Sequence, residues 1–238
     1  MKKVVIHPDY APCADFINRL PEIFHREGKT IFKARNEVKI FKQQGLEFVV
    51  KSFKTPHFIN QFVYSTLRAS KAERAYRHAL ILLDKSIWTP IPIAYIEIKK
   101  FGLLVNSYFI STKSWLNREL KELSDTPVLP ETYSVLTDFA RFTASLHQKG
   151  VYHKDYSSRN ILFGKIFDYY DFELLDLNRM KFCEISLKAG CKNLSRLCLT
   201  DDMYRFFAKT YATARNVNAE TCEQMILKYR RKKQSLQS

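Results

Sequence analysis

No internal repeat, Gly/Ser linker or low-complexity tract interrupts the 238 residues. A collagen-like or fully disordered chain is thereby excluded, and 46% hydrophobic with 26% charged residues is a globular balance. No apolar stretch approaches the roughly 20 residues of a membrane span. The opening Met1-Lys2-Lys3-Val4-Val5-Ile6 begins like a signal peptide. It stops at His7-Pro8-Asp9, too soon for an apolar signal core. Cysteine is sparse and odd in number: Cys13, Cys183, Cys191, Cys198 and Cys222. No CxxC pair or Cys/His spacing suggests zinc, so free thiols used as core filler in a reducing compartment are expected. Acid is scarce as well. Against 39 Lys+Arg stand 24 Asp+Glu, a formal net charge of +15. Such a chain asks for an anionic partner, which charge alone does not choose. No nucleic-acid-binding motif occurs, and the cations are spread along the sequence, so nucleic acid is not expected.

What is present divides in two. Ile31-Phe32, Val38–Phe41 and Phe48–Phe53 read as three strands of an antiparallel meander, separated by polar turns at Ala34-Arg35-Asn36 and Gln43-Gln44-Gly45. Thr55 to Asp84 carries helical periodicity through Phe58, Phe62, Leu67, Ala72, Tyr76, Leu80 and Leu83. Ser70-Lys71-Ala72-Glu73 has capping-box spacing and marks a helix start. Trp88-Thr89-Pro90-Ile91-Pro92 breaks the pattern. Two strands follow, Ile93–Lys99 and Leu103–Ser111, turning at Phe101-Gly102. Beyond Thr112 the chain reads as helical. Trp115–Leu123 is expected to be a polar helix and Glu131–Gln148 a long one, with a loop at Pro127 and Pro130 between them. Short strands are expected near Asn160–Phe163 and Phe172–Leu177, and helices from Leu187 onward. The expected organisation is residues 1–112, a five-stranded antiparallel sheet with one helix and an unassigned N-terminal extension of 28 residues, and residues 113–238, a helical part.

The chemistry concentrates in Leu146-His147-Gln148-Lys149-Gly150-Val151-Tyr152-His153-Lys154-Asp155-Tyr156-Ser157-Ser158-Arg159-Asn160-Ile161-Leu162. A helix ends at Gly, a loop presents Asp155, and Asn160 follows five positions later. This resembles the catalytic loop of the protein-kinase-like superfamily, His-x-Asp, four residues, then Asn. The resemblance implies an α+β, bilobal fold with a small β-rich N-terminal lobe and a truncated helical C-terminal lobe. It implies that Asp155 orients and deprotonates the acceptor hydroxyl and that Asn160 binds Mg²⁺. His153 is read as structural, holding the loop by side-chain hydrogen bonds. In Leu174-Leu175-Asp176-Leu177-Asn178, Asp176 stands where kinases place a second Mg²⁺ ligand. The usual Phe-Gly is replaced by Leu177-Asn178, and Asn178 tolerates the left-handed backbone such a turn uses. Val49-Val50-Lys51 resembles the strand that presents the phosphate-binding lysine. Lys51 is the candidate, with Glu73 as its expected ion-pair partner. The turn that is Gly-rich in kinases is here Lys33-Ala34-Arg35-Asn36-Glu37, without Gly. Lys33 and Arg35 are the expected phosphate contacts.

Only 62 residues follow Asp176, and no Ala-Pro-Glu occurs. The order of motifs resembles the bacterial lipopolysaccharide kinases, which phosphorylate Kdo or heptose of the inner core. The similarity runs over roughly residues 29–215. It is carried by Ser70–Tyr76, Thr89-Pro90-Ile91-Pro92, His147–Leu162 and Lys192-Asn193-Leu194-Ser195-Arg196-Leu197. It implies an ATP- and Mg²⁺-dependent enzyme acting on a lipid A or core glycolipid. Work on the cytoplasmic face of the inner membrane is implied too, with a peripheral contact to its anionic lipids. The cations around Lys33–Lys54 are expected to meet the head group; Tyr229-Arg230-Arg231-Lys232-Lys233 reads first as a solvated helix end whose cations suit the dipole, second as a contact to anionic lipid and the head group. Arg159 is read first as an exposed or ion-paired residue, second as an acceptor contact. Two other readings stay open: a minimal RIO-type protein kinase, and a non-catalytic ATP-binding pseudokinase scaffold.

Overall fold

The computed structural model describes residues 1–53, 69–125 and 129–235. The chain divides into two compact units, Met1–Ser114 and Trp115–Ser238. The helical reading over Phe58, Phe62 and Leu67, together with Lys54 and Pro127, lies outside the described residues. No helix among those described is long and apolar enough to cross a membrane.

The first unit is a six-stranded antiparallel sheet, not five-stranded. Its strands are β1 (Lys2–Ile6), β2 (Lys29–Lys33), β3 (Asn36–Gln43), β4 (Leu46–Phe53), β5 (Pro92–Lys100) and β6 (Leu103–Thr112), in the order β1-β5-β6-β4-β3-β2. The sixth strand is Lys2–Ile6, the signal-like run, which pairs along β5 with Val4 opposite Ile96. A β-branched run this short satisfies its backbone by adding an edge strand. Residues 14–23 form helix α1 (Ala14–Ile23), so the unassigned extension is structural.

Strand alternation sorts the unit into two layers. Phe48 and Val50 of β4, Ile96 of β5, and Tyr108 and Ile110 of β6 face one way and pack with Phe16, Ile17, Leu20 and Phe24 of the α1 segment. Phe53, Tyr95 and Phe109 face the other way, against Ala72 and Tyr76 of helix α2 (Lys71–Asp84). Ser70 caps α2, its Oγ accepting from Glu73 N–H at 3.0 Å. The buried stripe of α2 is Ala72, Glu73, Ala75, Tyr76, Ala79 and Leu82; Leu82 takes the place expected of Leu83.

In the second unit the residues expected as a helix over 115–123 form instead a two-residue strand β7 (Arg118–Glu119) and a 3₁₀ turn over Leu120–Ser124. Tertiary contacts override helix propensity there. The Arg118 guanidinium lies 4.6 Å over the Phe163 ring and donates to Glu122 and Glu131, each at 2.9 Å. The expected long helix is α3 (Thr132–Gln148). Then come β8 (Val151–His153), β9 (Ile161–Ile166), β10 (Tyr169–Leu174) and β11 (Met180–Phe182). β9 pairs with β10 and β7; β8 pairs with β11. Three helices follow: α4 (Leu187–Leu194), α5 (Asp201–Ala214) and α6 (Ala219–Gln234). Phe139 of α3 anchors the core, 5.2 Å from the Phe172 ring and 5.4 Å from that of Phe207.

Candidate active site

Helix α3 stops at Lys149, and Gly150 takes φ +73, which a side chain rarely adopts. Gly150 also has no room for one: a Cβ would lie 3.0 Å from the Cys183 carbonyl oxygen. The chain thereby turns into β8 and delivers the loop after it. His153, fully buried, organises that loop. Asp155 N–H donates to its Nδ1 at 3.0 Å, so Nε2 carries the proton and donates to the Leu175 carbonyl at 2.9 Å. Burial lowers its pKa, which keeps the ring neutral and the tautomer fixed. One imidazole thus clamps the segment bearing Asp155 to the segment bearing Asp176. The structural reading of His153 agrees with this geometry.

Asn160 closes the loop. Its Nδ2 donates to the Asp155 carbonyl at 2.9 Å, and its own carbonyl accepts from Leu175 N–H at 2.8 Å. With the amide nitrogen committed, Oδ1 is the atom left to accept or to ligate. Asp176 follows Leu175 in the left-handed conformation, φ 55 and ψ 51. The left-handed residue is therefore Asp176 itself, not Asn178. Aspartate is one of the few side chains that tolerates it. Asn178 sits in the 3₁₀ turn that follows and donates Nδ2 to Asp176 Oδ1 at 2.5 Å. Asp155, Asn160 and Asp176 are all half-buried, reachable but sheltered. Carboxylate and amide oxygens are hard donors, the kind Mg²⁺ takes.

Behind the loop lies a second buried network. The His147 Nδ1 is 2.8 Å from the Tyr211 hydroxyl, and Nε2 is 3.2 Å from Asn193 Oδ1. Asn193 Nδ2 donates to the His153 carbonyl at 2.8 Å, which fixes the amide orientation. Nε2 must therefore donate to Asn193, and Nδ1 accepts from Tyr211. Burial pushes the His147 pKa down to about 4. Gly190 makes room: a Cβ there would collide with the Tyr211 hydroxyl and come 3.1 Å from His147 Nδ1. Tyr156, fully buried, adds a hydroxyl contact to Thr143 at 2.8 Å, and burial raises its phenol pKa. Sequence reasoning gave Asn193 no role beyond its place in Asn-Leu-x-Arg-Leu and did not find Tyr211. A polar residue at a core position of a helical pattern was the available signal.

The remaining candidates belong to the first unit. Lys51 lies on β4, on the face it shares with Phe53 and α2, its Nζ 5.4 Å from the Phe53 ring. Glu73 is on the first turn of α2, buried, and its carboxylate meets Arg77 at 2.6 Å and Lys3 at 4.0 Å. Glu73 thus serves a cation of its own helix, Arg77, and one from β1, Lys3. Lys3 comes from β1, which sequence reasoning left unassigned. Lys33 and Arg35 flank the β2–β3 turn, both exposed, with Lys33 Nζ 3.9 Å from Glu37. Lys39, expected to help meet an acceptor, is buried. It donates to the Phe24 and Glu27 carbonyls at 2.7 and 3.2 Å, satisfying groups at the end of α1. Arg159 is exposed, and among the described residues it has no ion pair.

A family model described as the lipopolysaccharide kinase (Kdo/WaaP) family matches residues 35–221. No curated protein matches the chain. Among solved structures, WaaP in complex with acyl carrier protein aligns with TM-score 0.68 and 15% identity, over 99% of this chain and 100% of that one. The PknI kinase domain of Mycobacterium tuberculosis, a double mutant, aligns at 0.43 and 13%, over 81% of this chain and 74% of that one. WbdD with a kinase inhibitor aligns at 0.46 and 12%, over 86% and 45%. The fold is α+β, that of WaaP.

Proposed function

The chain belongs to the lipopolysaccharide kinase (Kdo/WaaP) family, and from that premise we propose that it transfers the γ-phosphoryl group of ATP to a Kdo or heptose hydroxyl of the inner core. The observation that carries the reading is the convergence of Asp155, Asn160 and Asp176 around the fixed imidazole of His153. Asp155 accepts the proton of the acceptor hydroxyl as its oxygen bonds to the γ-phosphorus. The bond from that phosphorus to the β–γ bridging oxygen breaks, and ADP leaves. Asn160 Oδ1 and the Asp176 carboxylate are the groups that would hold Mg²⁺, which when bound neutralises phosphate charge. Lys51 holds phosphate oxygens, Glu73 supports it from α2, and Lys33 and Arg35 supply charge where no Gly-rich backbone cradles phosphate. Positioning and preorganised charge do most of the work in such a transfer. We place the enzyme on the cytoplasmic face of the inner membrane, where its glycolipid acceptor is made. Arg231, Lys232 and Lys233 are the cations of the C-terminal run left to meet anionic lipid. Arg230 is turned inward, paired with Asp201 and 4.8 Å over the Tyr204 ring.

The test is incubation of purified protein with MgATP and a lipid A–Kdo or heptose-bearing core acceptor, read by mass spectrometry. A gain of about 80 Da, one phosphate, is expected, and fragmentation locates the sugar. Equally little product from wild-type and Asp155→Ala protein across both acceptors would sink the reading. The Gly-free β2–β3 turn is the one observation that favours a pseudokinase. In that case thermal stabilisation by MgATP without any product is the expected result.

A further inference from the structure

The β8–β11 ladder has an outer face that the mechanism above does not use. Lys181 stands opposite Tyr152, and Met180 opposite His153. Side chains alternate across a strand. Val151, His153 and Met180 are buried, which leaves Tyr152 and Lys181 facing outward. At the end of the ladder Lys154 N–H donates to the Arg179 carbonyl at 3.0 Å, and both side chains are exposed. Arg196 is exposed as well. Its charge acts on the Tyr152 phenol, and Cys198, two residues on, donates its N–H to Ser158 Oγ in the catalytic loop at 3.0 Å.

Among the described residues no carboxylate pairs with Lys154, Arg179, Lys181 or Arg196. Other cations of the molecule are committed: Lys42 and Lys113 to Glu47, Lys3 and Arg77 to Glu73, Arg118 to Glu122 and Glu131. Lys154, Arg179 and Lys181 border this ladder and the Arg196 charge acts on its tyrosine, so an anion seated there would meet cations. Two of the four are arginines, whose planar donors fit a phosphate or carboxylate in pairs. Lys154 is the residue next to Asp155.

We propose that this face is an anion subsite for the acceptor. It binds a phosphate or carboxylate already present on the acceptor glycolipid and so sets the hydroxyl beside Asp155. The proposal rests on the kinase reading, and it names the chemistry that would select the acceptor. Arg196 and Lys181 are specificity residues in this scheme, and Tyr152 offers a hydroxyl to the same group.

The experiment is calorimetric binding of a water-soluble, bisphosphorylated glucosamine disaccharide and of its dephosphorylated form. Wild-type protein is expected to prefer the phosphorylated sugar. Lys181→Ala and Arg196→Ala are each expected to weaken it about tenfold, the loss of one charge-assisted hydrogen bond. The dephosphorylated sugar should bind all three proteins alike, and MgATP should stabilise all three alike. Lys181→Arg and Arg196→Lys should recover most of the affinity, which separates loss of charge from loss of fold. Equal affinity of wild-type and alanine variants for the phosphorylated sugar overturns the subsite. So does a second pattern, in which the variants lose sedimentation with phosphatidylglycerol vesicles but keep the sugar, since the ligand is then a lipid head group. Binding is read here without phosphoryl transfer. A protein that discriminates the two sugars yet forms no product overturns the kinase reading and leaves the subsite standing.

Discussion

The two units of this molecule spend polarity in opposite ways. In the sheet unit, the layers packed on either face of the sheet are aliphatic and aromatic, and its charges, the buried Lys39 and Glu73 among them, meet at glutamates shared between cations. Glu37 lies near Lys33 and Lys39, Glu47 near Lys42 and Lys113, and Glu73 near Lys3 and Arg77. In the catalytic-loop unit, neutral polar groups go inside. His147, His153, Asn193, Thr143, Tyr156 and Tyr211 are buried and bonded to one another or to backbone. Exposed ion pairs are weak and easily replaced. A buried, satisfied network is costly to disturb and holds one geometry. The unit that would aim Asp155 under the proposed mechanism carries the second kind of polarity, and the difference teaches where precision would be needed.

The strongest way to break this comparison is at the loop. Asp155→Ala is expected to lower kcat by roughly 10³-fold. Its urea midpoint should stay near that of wild type, because the side chain is half-exposed and the hydrogen bonds recorded at this position use its backbone. A large stability loss would mean that Asp155 belongs to the structural network instead.

Acid comes next. His147 is neutral in the fold with a pKa near 4, against 6.5 when free. The unfolded chain binds that proton as pH falls through 6.5 and the folded chain does not. Stability is therefore full above that pH and is lost progressively down to about 4, by roughly 3 kcal/mol for this one group. Urea unfolding at pH 7 and pH 4.5 measures it. In His147→Gln the slope assigned to this residue should vanish.

A pair of glycines sharpens the contrast further. Gly190→Ala and Gly28→Ala both force a Cβ into occupied space, against Tyr211 and His147 in one case and 2.8 Å from the Phe41 ring in the other. Each is expected to cost about 2 kcal/mol in chemical denaturation. The Gly190 variant should also lose kcat, since its network bonds to the His153 carbonyl. The Gly28 variant should lose stability alone. Equal kinetic damage in both would erase the distinction between the units.

The smallest effect is expected at the surface. Glu47→Gln frees Lys42 and Lys113, and the change should be near the error of a denaturation curve and vanish in high salt.

Much of this was legible before any coordinates. Strands β3, β4, β5 and β6, the Ser70 cap and helix α3 follow from periodicity and turn chemistry, which act over a few residues. The loop from His147 to Leu162 was legible because its residue types and spacing form one pattern. Other features were not. Lys2–Ile6 is too short to declare itself, and its partner β5 lies some 90 residues away. The segment at Trp115–Leu123 has helical composition, yet Arg118 stacks on Phe163 and the chain pairs with β9.

The sequence alone determined the two-part organisation, the excess of cations and the identity of the groups on the catalytic loop, because each is a local or compositional property. Only the tertiary structure decided which cations are engaged and which are left over. Lys39 and Arg230 turn inward to a helix end and an aromatic ring; Lys181 is brought opposite Tyr152, on which the Arg196 charge also acts. A charge reads the same wherever it stands in a chain, but its partner is set by distance. Distances between residues far apart in sequence exist only once the chain has folded.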